Sequence, residues 1–242
     1  STNGVAGPVS TGDTTMIRYI YAEDLHNFPK LSHTRFLDRA DQFKTRLGWA
    51  VSVDEQGYER DEYDDENPLY VIWENADGSH GGSMRLLPTV GQTMVNDHFL
   101  SLTDGVRIES PFIWECTRFC LSRNATPGVA AALMLAGGEV MNQFDIDHFV
   151  GVFDARMVRI YRRIGSSPEI LGSQGEGRDR ISVGLWEFTR DAQAHVAKSA
   201  GITPEMIRRW FERSFNATEP APLMAEMVTA AAAENPFTQM AA

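Results

Sequence analysis

The chain has 242 residues, 43% hydrophobic and 23% charged, the balance expected of a globular protein able to bury a full core as one large domain or two small ones. Its 22 Lys plus Arg against 33 Asp plus Glu leave a net charge of −11, which argues against nucleic acid or an anionic membrane as the main partner, since both are polyanions. No apolar run is long enough to span a bilayer and no signal sequence is evident. Cys116 and Cys120 cannot form a disulfide framework, so the expected location is the reducing cytoplasm.

Residues 1–15 are Ser-, Thr- and Gly-rich without periodicity and are expected to be a flexible leader. MIRYIYA from Met16 reads as a strand. Over 29–47, Phe36, Ala40, Phe43 and Leu47 fall at steps of four, three and four, which predicts a helix opened by Pro29 and stopped by Gly48. A dense acidic loop over 58–68 follows. LYVIWE (69–74) and GSMRLL (82–87) then predict a hairpin, and FIWECTRFCL (112–121) a strand inside the sheet, with 90–108 read as loop. Helices are predicted over 128–144 and 155–165, strands over 148–154 and 181–188, and a terminal helix over 204–215 before an Ala-rich tail. Strands alternating with helices in the second half indicate an α/β layer fold. The expected division is a leader (1–15), one catalytic domain (16–190) and a C-terminal helix and tail (191–242).

Four groups of residues carry potential chemistry. In the acidic loop, Asp61, Glu62, Asp64, Asp65 and Glu66 lie close to Glu59. The cluster lacks the spacing of a calcium-binding hand; it is either a solvated loop or a pocket for an ammonium or sulfonium group. On the first helix, Arg39 precedes Phe43 by four residues, with Trp49 at the helix end. That set is either packing or a cover for a flat ligand such as adenine. Glu115 and Arg118 are charges in an otherwise apolar strand: a buried salt bridge, or a carboxylate of raised pKa able to act as general base. Strict alternation would send the two to opposite faces, so service to one site requires the strand to bulge or end there. Finally, Arg156, Arg159 and Arg163 share a helical face, either solvated or a dock for an acidic partner. The six histidines show no metal-ligand spacing, and no nucleophile-elbow, Walker or dinucleotide fingerprint is present.

In order, Arg39, F-x-x-R-L-G-W (Phe43 to Trp49), E-x-D-x-Y-D (Glu59 to Asp64), S-x-R-L-L-P-T (Ser83 to Thr89) and E-C-T-R-F (Glu115 to Phe119) are in register over about residues 16–188. The chain thereby resembles the acyl-homoserine-lactone synthases, the autoinducer synthases of bacterial quorum sensing. The resemblance implies a fold similar to the GNAT acetyltransferases: a twisted mixed sheet, splayed into an acyl cleft and flanked by helices. It implies two substrates, S-adenosylmethionine and an acyl thioester on acyl-carrier protein or CoA, with no cofactor and no metal. The amine would be acylated and the methionyl carboxylate would then displace methylthioadenosine to close the lactone. It also implies roles: Glu115 as base, directly or through a water; Arg39 or Arg118 for the carboxylate; Phe43 and Trp49 beside adenine; Asp61 and Asp64 for the two cations; Arg85 as a tie between acidic loop and sheet; the arginine helix as carrier-protein dock. Gly151 stands where relatives that favour 3-oxo chains often carry Thr, which implies a chain without that group or a roomier pocket.

Two other readings compete. An ordinary GNAT enzyme acylating another amine would carry a Q/R-x-x-G-x-G/A turn to cradle pyrophosphate, and RNATPGVA (123–130) lacks it. A non-catalytic carrier-protein-binding relative would be expected to lose parts of a site whose residues are all present here.

Overall fold

The computed structural model describes residues 15–216, so the leader over 1–14 and the Ala-rich tail from 217 lie outside the described residues. The strands are β1 (Met16–Tyr21), β2 (Leu69–Glu74), β3 (His80–Pro88), β4 (Ile113–Leu121), β5 (His148–Asp154), β6 (Glu169–Gln174) and β7 (Ile181–Trp186). The helices are α1 (Pro29–Ala40), α2 (Met94–His98), α3 (Pro127–Gln143), α4 (Ala155–Ile164), α5 (Arg190–Ala200) and α6 (Pro204–Phe215). They build one mixed sheet of order β1-β2-β3-β4-β5-β7-β6, as the α/β expectation required. Every neighbouring pair is antiparallel except β4 and β5, which run parallel because α3 carries the chain back across the sheet.

Sequence pattern decides which helix covers which face. α3 is apolar nearly all round (Val129, Ala131, Leu133, Leu135, Ala136 and Val140 are buried), so it sits at the centre of the main core against Met84, Leu86 and Phe149. The opposite face carries α1, whose Leu31 and Phe36 pack on Tyr70 and Ile72. The expected break after residue 190 does not divide the core: Val196 of α5 and Ile207, Trp210 and Phe211 of α6 are buried in the same cluster as α3. β6, α5 and the short α2 were not predicted. β6 is an edge strand with Glu169, Ile170 and Leu171 exposed, so it has no buried alternation to reveal it.

Two irregularities set up the site. The α-helical turns of α1 give way at Asp41–Arg46 to a wider π-type turn, which ends as Gly48 takes φ +67°. The β3/β4 register also shifts: Ser83 faces Cys120 while Arg85 faces Thr117, so β4 carries one extra residue, and Arg118 sits in the left-handed region at φ +53°.

Candidate active site

The pairing of β4 with β5 ends at Glu115 opposite Val150. Beyond it the two strands part, and the gap is a cavity of about 750 Å³. Phe119 and Leu121 of β4, Phe149 and Phe153 of β5, Met84, Met134 and Met141, and Trp186 give it largely apolar walls. Of the residues singled out in the sequence, Phe43, Trp49, Arg118, Gly151 and Arg156 line it. Gly151 is there for want of space: a Cβ would come within 2.8 Å of the Cys116 carbonyl oxygen and 3.2 Å of the Trp186 ring.

Behind the cavity wall lies a buried ion network. Arg39 donates from Nε to Glu59 at 2.6 Å and from Nη1 and Nη2 to the two oxygens of Asp64 at 2.7 and 2.9 Å. Asp64 also accepts from the Tyr70 hydroxyl at 2.7 Å and lies 3.1 Å from Arg85 and 4.0 Å from Arg35. Arg85 grips Asp61 with both terminal nitrogens, at 2.5 and 3.0 Å, and donates from Nε to Thr117, tying the acidic loop to β4. Arg118 closes the network on Glu59 and Asp61, each at 3.0 Å. The E-x-D-x-Y-D string is thus a capping box: the Asp61 side chain accepts from the Tyr63 and Asp64 amides, and Asp64 accepts from the Asp61 amide at 3.0 Å. Burial disfavours the charge on Asp64, but Arg39, Arg85 and Arg35 outweigh it and hold its carboxyl well below the usual range.

This arrangement revises two expectations. Asp64 has no oxygen left for a bound cation, and Arg39 is fully buried with its guanidinium engaged on three sides. Nor does Arg39 stand over Phe43. The π-type turn shifts the helical phase that the four-residue spacing assumed, so Arg39 lies over Phe36 at 5.5 Å and Arg118 lies over Phe43 at 5.2 Å. Phe43 packs on Trp49 with ring centres 5.0 Å apart. Arg118, Phe43 and Trp49 therefore form the cation-and-aromatic set at the cavity. Of the four arginines around Glu59, Asp61 and Asp64, Arg118 is the one that reaches it.

The extra residue at Arg118 answers the alternation problem. Without it, Glu115 and Arg118 would point oppositely; with it, Thr117 and Arg118 bond in succession on the acidic-loop face, the same side on which Glu115 meets α2. Left-handed backbone at a non-glycine residue costs about 1–3 kcal/mol and persists where the surroundings fix it, here through Glu59 and Asp61. Glu115 is 1% exposed and accepts from the Met94 and Val95 amides at 3.1 and 2.7 Å. Burial raises its pKa to about 7, against the pull of those amides and of Arg85. The carboxylate is not itself on the cavity wall, but its neighbours Met94, Cys116 and Thr117 are. Burial pushes the Cys116 thiol up to about 12, so it stays protonated.

The arginine helix divides. Asp154 caps α4 by accepting from the Arg156 amide and also holds the Arg156 guanidinium at 2.6 Å beside the cavity. Arg159 and Arg163 remain exposed. Among the described residues no cluster of three His, Cys, Asp or Glu is placed to hold a metal ion, and no helix is long and apolar enough to cross a membrane. Sequence reasoning missed Met94, which gives its amide to Glu115 and places its sulfur beside Arg85 and Arg118, and Gln42, which bonds the backbone of Phe119 and Leu121. Met94 lies in a stretch with no periodicity to expose it. Gln42 follows the acidic and basic residues of α1, and nothing in its local pattern signals a contact with β4.

Residues 25–196 match a family model described as autoinducer synthase. An acyl-homoserine-lactone synthase from Rhizobium etli is 38% identical over 183 residues, 73% of this chain and 86% of that protein. Among solved structures, the AHL synthase LasI superposes with a TM-score of 0.66 at 27% identity, covering 76% of this chain and 95% of its own. BjaI, a CoA-dependent acyl-homoserine lactone synthase solved with SAM and isopentyl-CoA, gives a TM-score of 0.68 over 78% of this chain and 90% of its own; at 22% identity that likeness is one of fold.

Proposed function

The chain belongs to the autoinducer synthase family, and from that premise we propose that it makes an N-acyl-L-homoserine lactone from S-adenosylmethionine and an acyl thioester. The observation that carries the reading is Glu115, with a pKa of about 7, at the point where β4 and β5 part into an apolar cleft. An ammonium becomes a nucleophile only after losing a proton, and a base matched to neutral pH is what that step requires. Glu115 takes the proton through an intervening water. The amine then attacks the thioester carbonyl carbon, the C–N bond forms, and the tetrahedral intermediate expels the thiolate, which is protonated. The methionyl carboxylate oxygen next attacks the γ-carbon; the C–S bond to the sulfonium breaks and neutral methylthioadenosine leaves.

Arg118 receives the methionyl carboxylate, Phe43 and Trp49 flank the adenine, and the acyl chain runs past Gly151 into the apolar cleft. Arg39, Asp64 and Arg85 act as positioning residues that hold Glu59 and Asp61 against Arg118. A protein of related fold has been solved with both SAM and isopentyl-CoA, which supports the choice of the two substrates. S-adenosylmethionine is a substrate here, not a cofactor, and the two free thiols suit a reducing cytoplasm.

The test is incubation of the full chain with S-adenosylmethionine and acyl donors on CoA and on acyl-carrier protein, with mass spectrometry of the products. Equal amounts of acyl-homoserine lactone and methylthioadenosine are expected. Binding of S-adenosylmethionine without either product would favour the non-catalytic relative, and acylation of another amine the ordinary acyltransferase.

Exposed Arg159 and Arg163 fit an acidic carrier protein. The double change Arg159→Glu, Arg163→Glu is expected to raise KM for acyl-carrier protein by about tenfold or more while changing that for acyl-CoA little. An equal rise for both donors would show that the helix shapes the pocket instead of docking the carrier.

A further inference from the structure

β4 and β5 pair only over Ile113–Glu115, so the rest of β4 has an edge with no strand beside it. Which main-chain groups face that edge follows from alternation. The Ile113 carbonyl accepts from the Thr89 amide and the Ser122 amide donates to the Gly81 carbonyl, so both residues bond toward the β3 side. They lie an odd number of residues apart, and they share a side only because the extra residue at Arg118 shifts the count. Past the bulge, Phe119 and Leu121 therefore aim their main-chain groups away from β3, at the gap. A bare amide or carbonyl beside an apolar cleft is costly, so these groups need partners.

The π-type turn at Asp41–Arg46 supplies them. The half-buried Gln42 side chain donates from Nε2 to the Phe119 carbonyl at 2.9 Å and accepts from the Leu121 amide on Oε1 at 2.8 Å. One side chain thus makes the donor-and-acceptor pair that a neighbouring strand would make. Arg46 completes the edge by donating to the Leu121 carbonyl at 2.7 Å, and Asp41 holds Arg46 at 3.0 Å. Asp41 also binds Arg123, just past β4, at 2.5 Å. Gln42, Arg46, Phe119 and Leu121 all line the cleft.

We propose that Gln42 is a positioning residue for the acyl thioester: its amide replaces the absent strand along β4 and fixes the cleft wall that Phe119 and Leu121 form. This role rests on the synthase reading above. With both groups bonded, the wall presents side chains instead of a bare amide and carbonyl. Without the Gln42 amide the strand loosens and water reaches its edge, so the donor loses its fit. Phe43 keeps its packing on Trp49, so the binding of S-adenosylmethionine changes little.

The test compares the native chain with Gln42→Met, which keeps the length and loses both bonds, and with Gln42→Glu. KM is measured for the acyl thioester, on CoA and on acyl-carrier protein, and separately for S-adenosylmethionine. Exchange of the Leu121 amide hydrogen is followed by NMR. Gln42→Met is expected to raise KM for the thioester by about tenfold and to leave that for S-adenosylmethionine within about twofold. It should also speed Leu121 exchange by about tenfold or more. Gln42→Glu separates the bonds from the bulk. Protonated, the new carboxyl makes the same two bonds; ionised, it keeps only the one from the Leu121 amide. Its thioester KM relative to the native value is therefore expected to be near one in acid and to climb as pH rises. The charges along this edge, Asp41, Arg46 and Arg123, are common to both chains and cancel in that ratio.

A native thioester KM in Gln42→Met overturns the proposal, as does an equal rise for both substrates or an unchanged Leu121 exchange rate. A Gln42→Glu ratio that stays raised in acid overturns it too. If the native chain yields no lactone from any thioester, the synthase reading fails and takes the substrate role with it. Leu121 exchange, which needs no turnover, distinguishes that result from the failure of Gln42 to brace β4.

Discussion

Glu115→Gln lowers turnover by about two to four orders of magnitude, the range of a general base, while the affinity for S-adenosylmethionine changes little. The contrast follows from the geometry. Gln keeps one carbonyl oxygen for the Met94 or Val95 amide, so α2 stays in place and Arg118, Phe43 and Trp49 are not disturbed. The variant loses the ability to take a proton. Pre-steady-state acylation and calorimetric binding of S-adenosylmethionine separate the two effects; native turnover in the variant would remove Glu115 as the base.

The pH dependence has a definite sign. A base works ionised, so acylation by the native chain rises through about pH 7 as Glu115 deprotonates, and this limb disappears in the variant. Stability runs the other way. Because the folded-state pKa is raised above the ordinary carboxylate value, the folded chain holds the proton more tightly, and ionising Glu115 destabilises it as pH rises from about 4.5 through about 7. Glu115→Gln is therefore expected to flatten both profiles, activity in a rate measurement and stability in urea titrations across that window.

Much of this was legible in the sequence, for physical reasons that can be assigned. The periodicity of α1, the apolar run of α3 and the strands on either side of it all bury side chains, and burial writes itself into the order of residues. The need for a bulge between Glu115 and Arg118 was also readable, because two charges three apart on a strand can share a face only if a residue is added. What sequence spacing misread was the helix face. An ideal helix puts Arg39 under Phe43; the π-type turn at Asp41–Arg46 changes the phase and gives that place to Arg118, from a strand far along the chain. The acidic loop misled for a related reason. Its carboxylates look free in sequence because their partners, Arg39, Arg85 and Arg118, come from three other elements. Met94 gave no local sign, since it matters only through what the folded chain places beside it.

Arg39→Met is expected to lower the free energy of unfolding by about 3–5 kcal/mol, the range for removing one partner of a buried ion pair. The methionine fills most of the volume, so the loss is electrostatic: Asp64 forfeits both of its close Arg39 contacts, Glu59 forfeits one, and both carboxylates remain buried. Asp64→Asn is expected to destabilise by the opposite route, leaving Arg39, Arg85 and Arg35 facing one another. Because the two changes act on one network, the double variant Arg39→Met, Asp64→Asn should lose less than the sum of the single changes. Asp64 also sets the acid limit. Its carboxyl is depressed in the folded chain, so its stabilisation is present above the ordinary carboxylate range and is lost as pH falls toward its folded value. Urea unfolding at pH 7 and in acid tests both points, and additive losses in the double variant would refute the coupling. A kinetic consequence separates this network from the base. Glu59 braces Arg118, so a folded Arg39→Met chain should show a raised KM for S-adenosylmethionine, while the rise of acylation through about pH 7 stays where Glu115 sets it.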